Sequence, residues 1–167
     1  MKRVSLGFCS LCLLFSALPG FCQETIWKQL KPLKSTRQEV ERLIGKPIKH
    51  FKNFGIYSDD RLLEYTVWYS KGSCDTKVSE MLYDVQAGLL TRLHITLKSD
   101  RKLADFEKEL DKFTRKEFDE LKGFAFYYSA DEALTYKAYI EGDGSETLVS
   151  IAMQPGKEKD KLRCKDR

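Results

Sequence analysis

The sequence predicts an α+β fold: tandem α-β-β-β units forming one antiparallel sheet, with the helices packed on one face. Three observations lead there. A capped helix opens near residue 36, and segments of alternating apolar residues follow it. After residue 99 a second apolar stripe at helical spacing is again followed by alternating segments. Each half is too small to bury a core alone, so one shared core is expected.

The chain opens on a leader, residues 1–22. Lys2 and Arg3 supply positive charge, residues 4–18 are mainly apolar, and Pro19-Gly20 ends the run. This is the pattern of a secretory signal peptide. The run falls short of the roughly 20 apolar residues that span a bilayer, and no later stretch approaches that length. Cleavage follows Cys22 or Gly20. Cys22 also admits a lipoprotein anchor, although Phe21 stands where small residues are wanted. The expected location is secreted or periplasmic.

Composition agrees with a folded exported chain. Of 167 residues 42% are hydrophobic and 32% charged, which excludes a disordered, fibrous or polytopic membrane protein. The net charge of +4 falls to about +2 once Lys2 and Arg3 leave, so no nucleic-acid partner is implied. Cys9, Cys12 and Cys22 belong to the leader, which leaves Cys74 and Cys164. An even pair in an oxidising compartment is expected to form a disulfide tethering the C-terminal tail. Two free thiols or intermolecular pairing is the alternative.

The elements follow in order. Ile26, Trp27, Leu30 and Leu33 offer apolar groups to the core, and Pro32 interrupts any long helix. Thr36 and Glu39 form a capping box; Val40, Leu43 and Ile44 share one face, and Gly45 and Pro47 stop the helix. Residues 46–60 read as a connection. Leu63, Tyr65, Val67 and Tyr69 alternate with Glu64, Thr66, Trp68 and Ser70. Met81, Tyr83 and Val85 suggest the next strand, and Gln86-Ala87-Gly88 a hairpin turn. Leu89, Thr91, Leu93, Ile95 and Leu97 form its partner, with Arg92, His94, Thr96 and Lys98 opposite.

In the second unit Ser99 or Asp100 would cap a helix carrying Leu103, Phe106, Leu110 and Phe113. Phe124, Phe126 and Tyr128 then face inward from one strand, and Leu134, Tyr136, Ala138 and Ile140 from the next. A turn at 142–145 leads to Thr147, Val149, Ile151 and Met153. The reading is one α+β domain over 23–156, with pseudo-repeats at about 34–98 and 99–155. A charged tail, 157–167, is tied down by Cys164.

The segment Ser35-Thr36-Arg37-Gln38-Glu39-Val40-Glu41-Arg42-Leu43-Ile44-Gly45-Lys46-Pro47 resembles the helix motif of the BamE (SmpA/OmlA) outer-membrane assembly lipoproteins and of the β-lactamase-inhibitor-like fold. That resemblance implies a Thr-opened helix ending in Gly-x-Pro, followed by three antiparallel strands. Beyond these residues the first unit matches only in element order. Tandem units are similar to the inhibitor proteins, which present a concave sheet to a partner. The chain also resembles a type of uncharacterised exported bacterial protein with Trp27, Pro32-Leu33 and a Leu162-Arg163-Cys164 ending.

Chemistry-bearing residues are sparse. His50 lies in the connection, and His94 on a polar strand face without a local nucleophile signature. Asp59-Asp60 reads as a solvated turn beside Arg61, and Asp143 as a turn between glycines that lacks EF-hand spacing. The mixed charges of 101–120 read as solvated surface. No metal site, cofactor or enzymatic activity is expected. Trp68, Tyr127 and Tyr139 fall opposite the inward residues of their strands, and Arg92 and His94 lie on the polar face too. They are the candidate binding face, for a protein or envelope component. The runner-up is a small-ligand or hydrolase-like function in a cleft between the units.

Overall fold

The computed structural model describes residues 26–58, 63–72, 74 and 83–164. The leader with Cys22, the Asp59-Asp60 pair and Met81 lie outside the described residues.

The first helix, α1, spans Arg37–Ile44. Its start is set by the capping box: the Glu39 amide donates to Thr36 Oγ1 at 3.3 Å, and the Thr36 amide donates to Glu39 Oε2 at 2.7 Å. Two otherwise orphaned donors are thereby satisfied. Gly45 ends it at φ 89°, donating to the Glu41 carbonyl at 3.0 Å. Nothing crowds a Cβ there, so the positive φ alone demands glycine. Val40 is fully buried, and Leu43 and Ile44 pack beside it on the core. Thr36→Ala is expected to cost about 1 kcal/mol in urea unfolding, with the native far-ultraviolet spectrum kept. A loss under a few tenths would assign the start of α1 to tertiary packing instead.

Eight strands form one antiparallel sheet: β1 Lys49–His50, β2 Phe54–Ser58, β3 Leu63–Tyr69, β4 Leu90–Lys102, β5 Thr114–Glu117, β6 Phe124–Tyr128, β7 Leu134–Ile140 and β8 Glu146–Met153. Their order is β1-β2-β3-β4-β8-β7-β6-β5. The last strand of each half meets the other at the centre, where Leu93 opposes Met153 and Ile95 opposes Ile151. That pairing makes one sheet of the two halves.

Paired residues share a face, so register divides the sheet. Tyr57, Tyr65, Ile95, Ile151, Tyr136 and Tyr127 run across one face, all buried. Trp27, Leu30, Val40 and Leu103 join the same apolar cluster from outside the sheet. Tyr57 and Tyr69 satisfy each other within it, their hydroxyls 2.6 Å apart.

Five expectations need correction. The connection 46–60 contains β1 and β2, and β2 pairs along β3 with Tyr57 opposite Tyr65. The strand expected at 81–85 is not the neighbour of β4; β3 is. Tyr83 instead bridges Arg163, and the Asp84 amide donates to the Leu162 carbonyl at 2.7 Å.

The long second helix is also replaced. β4 runs through Ser99 and Asp100 to Lys102. Only Leu103–Phe106 is α-helical (α2), followed by a 3-10 turn at Leu110–Lys112 and by β5. Phe106, Leu110 and Phe113 still pack on the core, but β5 gains ladder bonds to β6, with Thr114 opposite Tyr128. Finally, inward and outward are exchanged along β6: Ala125 and Tyr127 are buried, not Phe124, Phe126 and Tyr128. In β8 a bulge makes Leu148, not Thr147 or Val149, the inward residue.

The tail forms a 3-10 turn at Lys157–Leu162 and reaches buried Cys164. Cys164 is bonded to Cys74, with Cα atoms 5.5 Å apart at a sequence separation of 90.

Candidate functional site: the outer face of the sheet

The face opposite the core carries rings and cations. In the first half Phe54, Trp68 and Arg92 lie side by side on β2, β3 and β4. Phe51 stacks on Phe54, centroids 4.2 Å apart at 12°. The Arg92 guanidinium lies 5.4 Å from the Trp68 ring centre. His94 follows two residues on, opposite Thr66 and Ala152. Burial, then the charges of Arg92 and Lys137, hold its imidazole below the ordinary histidine range. It is therefore neutral at physiological pH. Among the described residues no hydroxyl, thiol or carboxylate hydrogen-bonds to it.

The second half is richer. Phe124, Phe126 and Tyr128 stand in line on the outer side of β6. Lys137 crosses them from β7, its Nζ 4.1 Å from the Phe124 ring centre and 5.8 Å from that of Phe126. Lys116 on β5 lies 5.5 Å from Tyr128. Tyr139 meets Phe124 edge-on at 5.6 Å, and Phe118 meets Phe126 at 5.4 Å. Tyr139 is 45% exposed and Phe118 40%. Cation–ring contacts of this kind contribute about 0.5–1 kcal/mol each at exposed sites, enough to hold an ammonium over a ring without burying it. At the paired positions of this face Lys49, Arg92, Lys102, Lys116 and Lys137 face only Glu64 among the acids.

The structure thus places Trp68, Arg92, His94 and Tyr139 on one face. It removes Tyr127, which is 9% exposed and lies on the core side. There its hydroxyl donates to Glu146, which Arg115 also binds through Nη2 at 2.9 Å. Tyr127 was misplaced because Phe124–Tyr128 is aromatic at both parities and gives no alternation. The small Ala125 opposite Ala138, both fully buried, marks the core side instead. Phe124, Phe126, Tyr128, Lys137 and Lys116 were missed for the same reason. The parity shared by Lys137 and Tyr139 was the available signal.

Among the described residues no group of three or more His, Cys, Asp or Glu is arranged to hold a metal ion. No helix among them is long and apolar enough to cross a membrane.

No family model matches the chain, and no curated protein matches its sequence. Among solved structures, the chain is similar to a DUF4309 family protein (YjgB) from Bacillus subtilis subsp. subtilis str. 168 at 14% identity and a TM-score of 0.41. The match covers 79% of this chain and 93% of that one. A likeness this distant carries no argument about function.

Proposed function

We propose that the protein is an exported, non-enzymatic module that binds a protein or envelope component through the outer face of its sheet. One observation carries this reading: rings and lysines are concentrated on the face that the core leaves uncovered, with Tyr139 among its most exposed rings. Aromatic groups at an open surface bury large area at low entropy cost when a partner arrives. Val40 of α1 and Leu103 of α2 belong to the buried apolar cluster, which lies on the other side of the sheet from these rings. The disulfide suits an oxidising compartment and so supports export, together with the leader.

The test uses the disulfide-bonded chain without its leader, immobilised and exposed to envelope extract. Wild type is expected to retain a component that the Tyr139→Ala, Lys137→Glu variant loses by about tenfold or more. The thermal midpoint should move by no more than about 2 °C, since neither residue is in the core. Equal retention by the two proteins, or no retention by either, would end the proposal.

A further inference from the structure

The outer face has a relief that follows from its register. β8 lies at the middle of the strand order, and its outward residues are small: Thr147, Ser150 and Ala152. Their neighbours are mostly short as well. Ser150 lies between Thr96 of β4 and Lys137 of β7, and Ala152 between His94 and Thr135. The rings begin two strands out on either side, with Trp68 on β3 and Phe124, Phe126 and Tyr128 on β6. Four interstrand steps of about 4.8 Å set these two banks roughly 19 Å apart, with β8 midway. A lane of small side chains therefore runs along β8 between taller, ring-bearing strands.

Charge is the second observation. Arg92 flanks the lane from β4 and Lys137 from β7, and Lys116 stands beyond the rings on β5. Lys137 and Lys116 make no ion pair among the described residues; each lies against rings instead. An ammonium held over a ring keeps its donors for an incoming anion. The acid at the paired positions is Glu64, two strands away on β3, while Glu141 accepts from Thr147 Oγ1 at 2.8 Å at one end of the lane. The face thus calls for an anionic occupant, and its relief decides the shape. A sugar stacks on open ring faces, but Lys137 already lies over Phe124 and Phe126, and Arg92 over Trp68. A flat bilayer would rest on the rings and leave the lane unfilled. An extended strand, about 5 Å wide, would reach one bank only. An α-helix with its side chains is about 10–12 Å across and fills the space between the rings.

We infer that the lane over β8 receives an acidic amphipathic α-helix of a partner protein. Its apolar stripe lies on Ala152 and against the rings of β6, and its carboxylates meet Arg92 and Lys137. The small residues let the helix approach the sheet closely, and the cations select its charge. This inference rests on the outer-face reading above and narrows the partner to one with an exposed acidic helix.

Three peptides of about 20 residues, roughly 30 Å as helices, are titrated into the disulfide-bonded chain without its leader, and its amide resonances are followed. The first has leucines at helical spacing and glutamates on the remaining positions. The second carries lysines in place of the glutamates, and the third is the first with a central proline that breaks the helix. The first is expected to bind saturably, about tenfold or more tighter than either of the others, to weaken with salt, and to shift the amides of Ser150, Ala152 and Thr135. Ala152→Trp, and separately Thr135→Trp, should each weaken it about tenfold by filling the lane. Both side chains point away from the core, so the thermal midpoint should stay within about 2 °C. Lys116→Glu with Lys137→Glu should abolish the preference for glutamate over lysine. Equal binding of the glutamate and lysine peptides, equal binding of the proline peptide, or no saturable binding would each overturn the helix. So would capture of phosphatidylglycerol vesicles or polygalacturonate by a chain that leaves the peptide unbound, which would give the face to a membrane or a glycan. In all these cases the broader reading stands if the Tyr139→Ala, Lys137→Glu variant still loses the envelope component, and it falls separately if that loss is absent.

Discussion

Replacing Cys74 with serine lowers the thermal midpoint by about 10–20 °C, and Cys164→Ser does the same. The bond closes a loop of 90 residues that begins just after β3 and contains every strand from β4 to β8. In the chain-entropy account a loop of that length stabilises by roughly 4–5 kcal/mol, chiefly by restricting the unfolded chain. For a domain near this size each kcal/mol corresponds to about 2–4 °C. The native side costs little: the tail is already docked where Tyr83 bridges Arg163 and the Asp84 amide meets the Leu162 carbonyl. The double variant should therefore fall no further than either single one, because both remove the same link. Calorimetry with and without reductant measures it. A shift below about 3 °C would mean that the β4–β8 pairing already restricts the unfolded ensemble enough to make the bond redundant.

What the sequence reveals depends on the range of the interaction that fixes each element. α1 was legible because Thr36, Glu39, Gly45 and Pro47 specify it within a few residues of one another. The inward sets of β3 and β7 were legible too, since Tyr65 and Val67, or Tyr136 and Ala138, alternate cleanly with polar or exposed neighbours. The second helix was misread although its apolar residues do reach the core. Leu103, Phe106, Leu110 and Phe113 fit a helical stripe, but pairing Thr114–Glu117 with β6 outweighs the local preference. No local signal reveals that partner. β2 was hidden by Gly55, a residue unusual inside strands. Here a Cβ would come within 2.8 Å of the Tyr57 ring. The outer face suffered most, because one misassigned parity in β6 and one bulge in β8 each exchange inside for outside.

Truncating Tyr136 to alanine should cost about 3–5 kcal/mol, the range for removing a buried ring. The residue is fully buried at the middle of β7, against Phe113 at 5.2 Å and Phe106 at 6.3 Å. These rings descend from the segment misread as a helix, so Tyr136 fastens that segment to the sheet. Its hydroxyl donates to Glu107 Oε2 at 2.7 Å, and Glu107 in turn holds Lys28 of the N-terminal segment. Tyr136→Phe isolates this polar part and should cost about 1–2 kcal/mol. Burial on its own would raise the Glu107 carboxyl. The hydrogen bonds from Tyr136 and the Glu109 amide, with the Lys28 charge, hold it below the usual carboxylate range. A carboxyl depressed on folding stabilises above its unfolded pKa, and that contribution is lost as pH falls through the folded value. Removing the Tyr136 donor brings the folded value back towards the unfolded one. The gap between wild type and Tyr136→Phe in urea unfolding should therefore be widest at neutral pH and narrow in acid. A gap independent of pH would show that the hydroxyl serves packing alone and that Glu107 is held by Lys28 and the backbone.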